Sequence, residues 1–396
     1  MYGSRVRAPE GSLRKPPLHR GGFFNACNWA QKKVWTLLAS QTFPIKFAVL
    51  CPGGGIGRHA ILRGWCEYSR ASSNLVLGTE KTPTVRGRGF LFLPCISIMT
   101  DQQSTPKEPL SFAPPKAMTR IAKTTQFFST GWAASIAFRW FVTPYPFKIP
   151  KREIPFEQRF GSPTMFTHEN GKRYPVYQIG TGSKNILLIH GWAGRFTQFG
   201  IMVEAMEAQY PDLLKEYTIT GFNGVSHRGA EGKRTLMPEI ASCIVQVAQH
   251  LGEVDLALAH SLGCGATMYA VQNLGAPIKR QVLIAPPGRI SAMVGLFCDT
   301  IGFNRSVHAR IVKNMKAKYG EDFDMFSPPE LAPSNTIPTL VFHDVDDRDT
   351  PISLGREVGQ KMTHGTYIET SGLGHRRILR DSKVIEQIMN WSFNIS

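Results

Sequence analysis

From about residue 171 onward, short apolar runs alternate with longer stretches of helical spacing. The runs are Arg173–Ile179, Asn185–His190, Tyr217–Phe222, Val254–His260, Arg280–Ile284, Pro338–His343 and Gly365–Thr370. Several are apolar almost throughout, as strands buried on both faces are. Between them, Gln198–Glu207, Leu236–Leu251, Gly263–Leu274, Pro351–Met362 and Lys383–Trp391 carry the 3.6-residue period of helices. Repeated β-α alternation without an internal repeat predicts an α/β fold, with a mostly parallel central sheet and helices on both faces.

Upstream, the pattern changes. Met118–Val142 is apolar, and Phe127–Val142 reads FFSTGWAASIAFRWFV. That run is shorter than the roughly 20 residues a membrane span needs, and Arg139 lies inside it. It ends at Pro144 and Pro146, so an N-terminal apolar helix over 118–145 is expected. The helix packs on the domain or makes peripheral membrane contact through 127–142, and a weak signal anchor is the rival. Pro144–Pro155 reads as extended chain, and residues 99–117, rich in Pro, Ser, Gln and Lys, as a disordered linker.

Residues 1–98 have no sustained period. Their stretch Cys51–Gly78 resembles a transfer-RNA gene translated out of context. The expectation is a non-native or disordered extension, with the true start at Met99 or Met118. The rival is a basic arm that binds nucleic acid or anionic lipid. Gly55-Ile56-Gly57 is a weak phosphate-loop match, since no strand precedes it and no Lys-Ser/Thr closes it.

Charge follows the same division. The chain carries +17, but residues 1–98 hold 14 Lys/Arg against 3 Asp/Glu, a net of +11. The remainder carries +6, which excludes a nucleic-acid reading of the catalytic domain over 146–396. Cys243, Cys264 and Cys298 show no CxxC spacing, so neither a disulfide framework nor a zinc site is indicated. A reducing cytoplasm is the expected compartment, with membrane association as an addition to it.

Four motifs carry candidate chemistry. Ala259-His260-Ser261-Leu262-Gly263 lies between an apolar strand and a small-residue helix, where a sharp turn would expose a serine at a helix N-terminus. Ala259 stands where the G-x-S-x-G pattern has glycine, and a serine that merely caps the helix is the plain alternative. His190-Gly191-Trp192 follows an early strand, where a loop can offer a backbone N–H to an oxyanion. His343–Pro351 holds four aspartates; spacing to Pro351 favours Asp347 as the orienting acid, with Asp349 and Asp346 next and the rest a solvated turn cluster. His375 sits on the glycine-rich Ser371–His375 loop after the last strand. The order Ser, Asp, His, each after its own strand, joins them.

On these motifs, residues 171–396 resemble the α/β-hydrolase superfamily in its lipase/esterase branch. The resemblance implies Ser261 as nucleophile, His375 as general base and Asp347 as its acid. It also implies an oxyanion hole from the N–H groups of Trp192 and Leu262, and no metal or organic cofactor. The expected reaction is hydrolysis of a small-molecule carboxylic ester or thioester. C–C bond hydrolysis with the same triad, or a non-catalytic binding protein on the same fold, are the alternatives. A cap insertion is expected over about 286–334. It is short, so a partly open pocket follows, with Met293, Leu296, Phe297, Ile301 and Phe303 either lining it or packing on the sheet.

Overall fold

The computed structural model describes residues 97–98, 110, 113–145 and 147–393. The expectations for residues 1–96, and for nearly all of the linker, lie outside the described residues. The strands are β1 (Ser97–Ile98), β2 (Thr164–Thr167), β3 (Arg173–Ile179), β4 (Lys184–Ile189), β5 (Tyr217–Phe222), β6 (Leu256–His260), β7 (Gln281–Ile284), β8 (Thr339–Asp344) and β9 (Gly365–Thr370). They form one sheet in the order β2-β3-β5-β4-β6-β7-β8-β9-β1. β3 pairs antiparallel with both β2 and β5, and every other pairing is parallel.

The apolar runs become strands because both faces of the sheet are covered. Alternate residues of β4 point to opposite sides. Leu187 and Ile189 enter one core with helix α4 (Met237–Leu251) and helix α5 (Leu262–Leu274). Ile186 and Leu188 enter the other with α3 (Gly200–Gln209) and the C-terminal α9 (Ser382–Phe393). β2 has no such cover. Its four residues Thr164–Thr167 are mostly exposed, so no apolar run announces it.

The single apolar helix expected over 118–145 is two helices, α1 (Lys116–Phe128) and α2 (Thr130–Phe141). Ser129 is extended (φ −158°, ψ 118°), and its hydroxyl accepts the N–H of Trp132, which caps α2. Apolar residues run through the break, so composition hides it. Likewise Pro144–Pro155 is not all extended: Lys151–Glu153 forms a 3-10 turn, and Ile154–Arg159 a helix that buries Phe156.

The cap is also more than the insertion. Its helices α6 (Ile290–Ile301) and α7 (Arg305–Tyr319) share a third core with α1 and α2. Ala122, Ala133, Ala134 and Ala137 are at most 1% exposed and let the helices approach closely. Gln126 clamps the turn between α6 and α7, its amide donating to the Gly302 carbonyl at 3.1 Å and accepting the Asn304 N–H at 2.7 Å. Of the five apolar residues expected to line a pocket, Ile301 and Phe303 are buried within this module, and Phe297 stacks edge-on against Phe141. Among the described residues, no helix is long and apolar enough to cross a membrane.

The alanine seam makes a prediction. Ala137→Leu, which adds volume where nothing is exposed, lowers stability by about 1–3 kcal/mol in urea unfolding. Ser135→Ala on the exposed face of the same helix stays within about 0.5 kcal/mol of the parent. Equal effects from both would mean that the two helices do not pack on the insertion.

Candidate active site

Among the described residues, four non-glycine residues have positive φ: Ala193, Ser226, Ser261 and Ala285. They follow the C-terminal ends of β4, β5, β6 and β7 in turn. Each such conformation costs about 1–3 kcal/mol, and the clustering places it along one edge of the sheet. That edge is where open α/β sheets bind ligands.

Ser261 has φ 53° and ψ −124°, and it ends β6 and begins α5. Its N–H donates to the Ile284 carbonyl at 2.9 Å, so the turn is tied to β7. A Cβ on Gly263 would lie 2.7 Å from the Ile189 carbonyl oxygen and 2.8 Å from that of His190, so only glycine lets α5 start this close to β4. A Cβ on Gly191 would lie 2.8 Å from the Ser261 Cβ, which brings the His190-Gly191-Trp192 loop against the serine.

His375 and Asp347 are brought together. His375 Nδ1 lies 2.7 Å from Asp347 Oδ2, and both residues are buried. Burial would raise the Asp347 carboxyl, but hydrogen bonding and charge from His375, the Thr350 N–H and the charge of His343 outweigh it and leave the group below its usual range. An ionised carboxylate only accepts, so the Nδ1–H of His375 donates to it. The other Asp347 oxygen accepts the N–H groups of Asp349 and Thr350, at 2.9 and 2.8 Å. Next to Ser261, His260 connects the two halves. Its Nε2–H donates to the His375 carbonyl at 2.8 Å, and the two rings lie 4.7 Å apart.

The remaining aspartates are not all a solvated cluster. Asp344 is fully buried. It accepts the N–H groups of Leu373 and Gly374 and the Thr370 hydroxyl, at 3.1, 2.8 and 2.7 Å. Asp346 accepts the Gly372 N–H at 3.1 Å. These two carboxylates hold the loop that carries His375, whereas Asp347 meets the imidazole itself. Asp349 is partly buried and comes near both Asp347 and His375. The three offer ligand atoms within 4.8 Å, but Asp347 and His375 already engage each other and the second Asp347 oxygen is taken by two N–H groups, a poor donor set for a metal.

The Trp192 loop rests on residues that no sequence motif marked. The Ala193 N–H donates to His227 Nε2 at 3.1 Å, and the His227 ring stands edge-on to Trp192. The Gly224 N–H donates to His190 Nε2 at 3.0 Å. Arg195 forms a buried ion pair with Glu153 at 2.6 Å, and the Thr197 hydroxyl donates to the same carboxylate oxygen. Among the described residues, the N–H groups of Trp192 and Leu262 donate to no protein acceptor. A reader of the sequence could have flagged His227 only as a lone histidine after a strand, which carries no signal without its partner.

Three of these histidines are held neutral. Burial pushes His190 and His260 down to about 3 and His227 down to about 4, with neighbouring histidine charge adding to the effect on the first two. In the unfolded chain each titrates near 6.5. As pH falls below that value, the unfolded chain takes up protons that the folded chain refuses, so stability is full above pH 6.5 and drains away toward pH 4. At most, each histidine contributes about 1.4 kcal/mol per pH unit in that window. Urea midpoints therefore decline steadily from pH 7 to pH 5, and a midpoint constant over that range contradicts the neutral cluster.

No family model matches the chain, and no curated protein matches it. Solved structures do. An esterase from Exiguobacterium antarcticum aligns at 16% identity and TM-score 0.44, over 58% of this chain and 99% of that one. A meta-cleavage product hydrolase from Pseudomonas fluorescens aligns at 13% identity and TM-score 0.42, over 59% and 98%. A monoacylglycerol lipase from Paleococcus ferrophilus aligns at 16% identity and TM-score 0.42, over 56% and 99%. The fold itself rests on strand order and direction, with β3 reversed at one side and a strand-turn-helix serine at the centre. The chain has the α/β-hydrolase fold.

Proposed function

We propose that the protein is a serine hydrolase that cleaves a carboxylic ester or thioester through an acyl-enzyme on Ser261. The observation that carries this reading is the strained Ser261, whose chain neighbour His260 hydrogen-bonds to His375 of a buried His375–Asp347 pair at 2.7 Å. In this reading His375 Nε2 takes the Ser261 proton as the hydroxyl attacks the acyl carbon. Asp347 keeps the imidazole in the tautomer with Nδ1 protonated and stabilises the cation that forms. The oxyanion develops against the N–H groups of Trp192 and Leu262, in a site where the helix α5 N-terminus favours negative charge. His375 returns the proton to the leaving alcohol or thiol, and water then attacks the acyl-enzyme with the same base.

An acyl substrate suits the surroundings. A cleft of about 440 Å³ opens between α6 and the start of α8 (Ile352–Lys361), lined by Ala292, Leu296, His308, Pro351 and Leu354. It begins one residue beyond Thr350, whose N–H holds Asp347. Its lining joins the apolar Ala292, Leu296, Pro351 and Leu354 to Asp299, Arg305 and His308, so it offers an acyl group apolar contact beside polar and charged partners.

Fluorophosphonate labels the wild type and leaves Ser261→Ala unlabelled; no labelling, or equal labelling of both, ends the proposal. On a panel of p-nitrophenyl esters and acyl-thioesters, Asp347→Asn lowers kcat/KM by about 10⁴ through the wrong imidazole tautomer. Turnover of a vinylogous diketone, with none of the esters or thioesters, would favour C–C hydrolysis instead. His227→Phe keeps the ring but loses the acceptor for the Ala193 N–H, and kcat falls by about 10²-fold with KM little changed. A proportional change in KM alone would mean that His227 does not position the Trp192 loop.

A further inference from the structure

The end of the α1–α2 hairpin presents large, exposed apolar side chains. Phe127 is 83% exposed, Phe128 72% and Trp132 57%, and the two phenylalanine rings meet edge-on. Exposed apolar residues normally occur singly; three aromatics at one turn mark a contact surface. The turn is rigidly mounted, because Gln126 clamps the 302–304 turn on one side and the Ser129 cap fixes the other.

Charge around the tip has one sign. Residues 116–141 and 290–319, which form the four helices of this module, contain nine Lys/Arg and a single acid, Asp299. Arg120, Lys123 and Arg139 are exposed on the hairpin, and Arg305, Arg310 and Lys313 on α7. Among the described residues, none of these six meets a carboxylate. A Cβ on Gly131 would lie 3.7 Å from the Arg310 guanidinium, so this cation reaches the aromatic turn itself. Exposed Phe and Trp flanked by unpaired Lys and Arg match an interface whose outer layer is anionic and whose depth is hydrocarbon. A nucleic acid would use the cations but leave the aromatic tip without a built groove, and an acidic protein would need a shaped apolar pocket that this convex turn does not offer.

We propose that the α1–α2 tip docks the cap module on an anionic lipid surface, with Phe127, Phe128 and Trp132 in the headgroup–acyl boundary and the surrounding cations on lipid phosphates and carboxylates. The test reads vesicle binding and is independent of whether Ser261 is catalytic.

Full-length protein is sedimented with phosphatidylcholine vesicles and with phosphatidylcholine–phosphatidylserine vesicles. The expected result is binding to the second and little to the first, weakened by salt. The triple variant Phe127→Ser, Phe128→Ser, Trp132→Ser changes only exposed positions, so its urea midpoint stays with the wild type. Its partitioning into the anionic vesicles falls by at least about tenfold. A second variant, Lys123→Glu with Arg310→Glu, loses the preference for phosphatidylserine. Three results overturn the proposal. One is a wild type that binds neither vesicle. Another is a triple variant that binds as well as the wild type, which would assign binding to the N-terminal residues. The last is light scattering that shows a vesicle-free dimer of the wild type lost in the triple variant, which would mean that a second copy covers the tip.

Discussion

A non-glycine residue in the left-handed region is held there only when its surroundings leave no relaxed alternative, and Ser261 is held by three of them. Its N–H is committed to β7, α5 begins at the next residue with Gly263 against the Ile189 and His190 carbonyls, and Gly191 closes over its Cβ. The reversal fixes where α5 starts, and therefore where the Leu262 N–H stands. It also fixes how near the Trp192 loop comes. Most of the arrangement at the carboxyl edge of the sheet follows from that one turn.

The rest of the edge is built from groups that exchange hydrogen bonds without exchanging charge. His190, His227 and His260 stay neutral because burial penalises the cation; His190 and His227 each use one ring nitrogen as donor and one as acceptor toward backbone groups, and His260 donates to the His375 carbonyl. Neutral imidazoles can hold a loop beside the proposed nucleophile without repelling a proton from His375. Around the acid, charge is sorted by position. Asp344 and Asp346 bind backbone N–H groups of the histidine loop, and Asp347 accepts the ring's Nδ1–H. The arrangement keeps Asp347 ionised next to its partner while Asp344 and Asp346 hold the loop.

The cap draws on two segments far apart in the chain. The insertion supplies α6 and α7, and the N-terminal hairpin supplies α1 and α2, joined by an alanine seam. The hairpin packs on the insertion's two helices, and the module gains a face outside the sheet. Under the proposed lipid docking, α6 and α7 would border the cleft while α1 and α2, packed on them, would bring it to the surface where acyl esters accumulate.

By itself, the sequence determined the alternation of buried strands and helices, because apolar runs and helical spacing are local properties. It determined Ser261, His375 and Asp347 as candidates, because each ends a recognisable strand in a fixed order. It did not reveal β2, whose exposed residues leave no pattern, nor the break at Ser129, where apolar residues continue through the cap. The difference between Asp344 and Asp347 was also hidden, since four aspartates in one loop look alike until distance decides which oxygen meets which hydrogen. His227 and the Arg195–Glu153 pair belong to the same class. Their roles depend on partners more than 30 residues away, and only the tertiary packing brings such groups within hydrogen-bond reach.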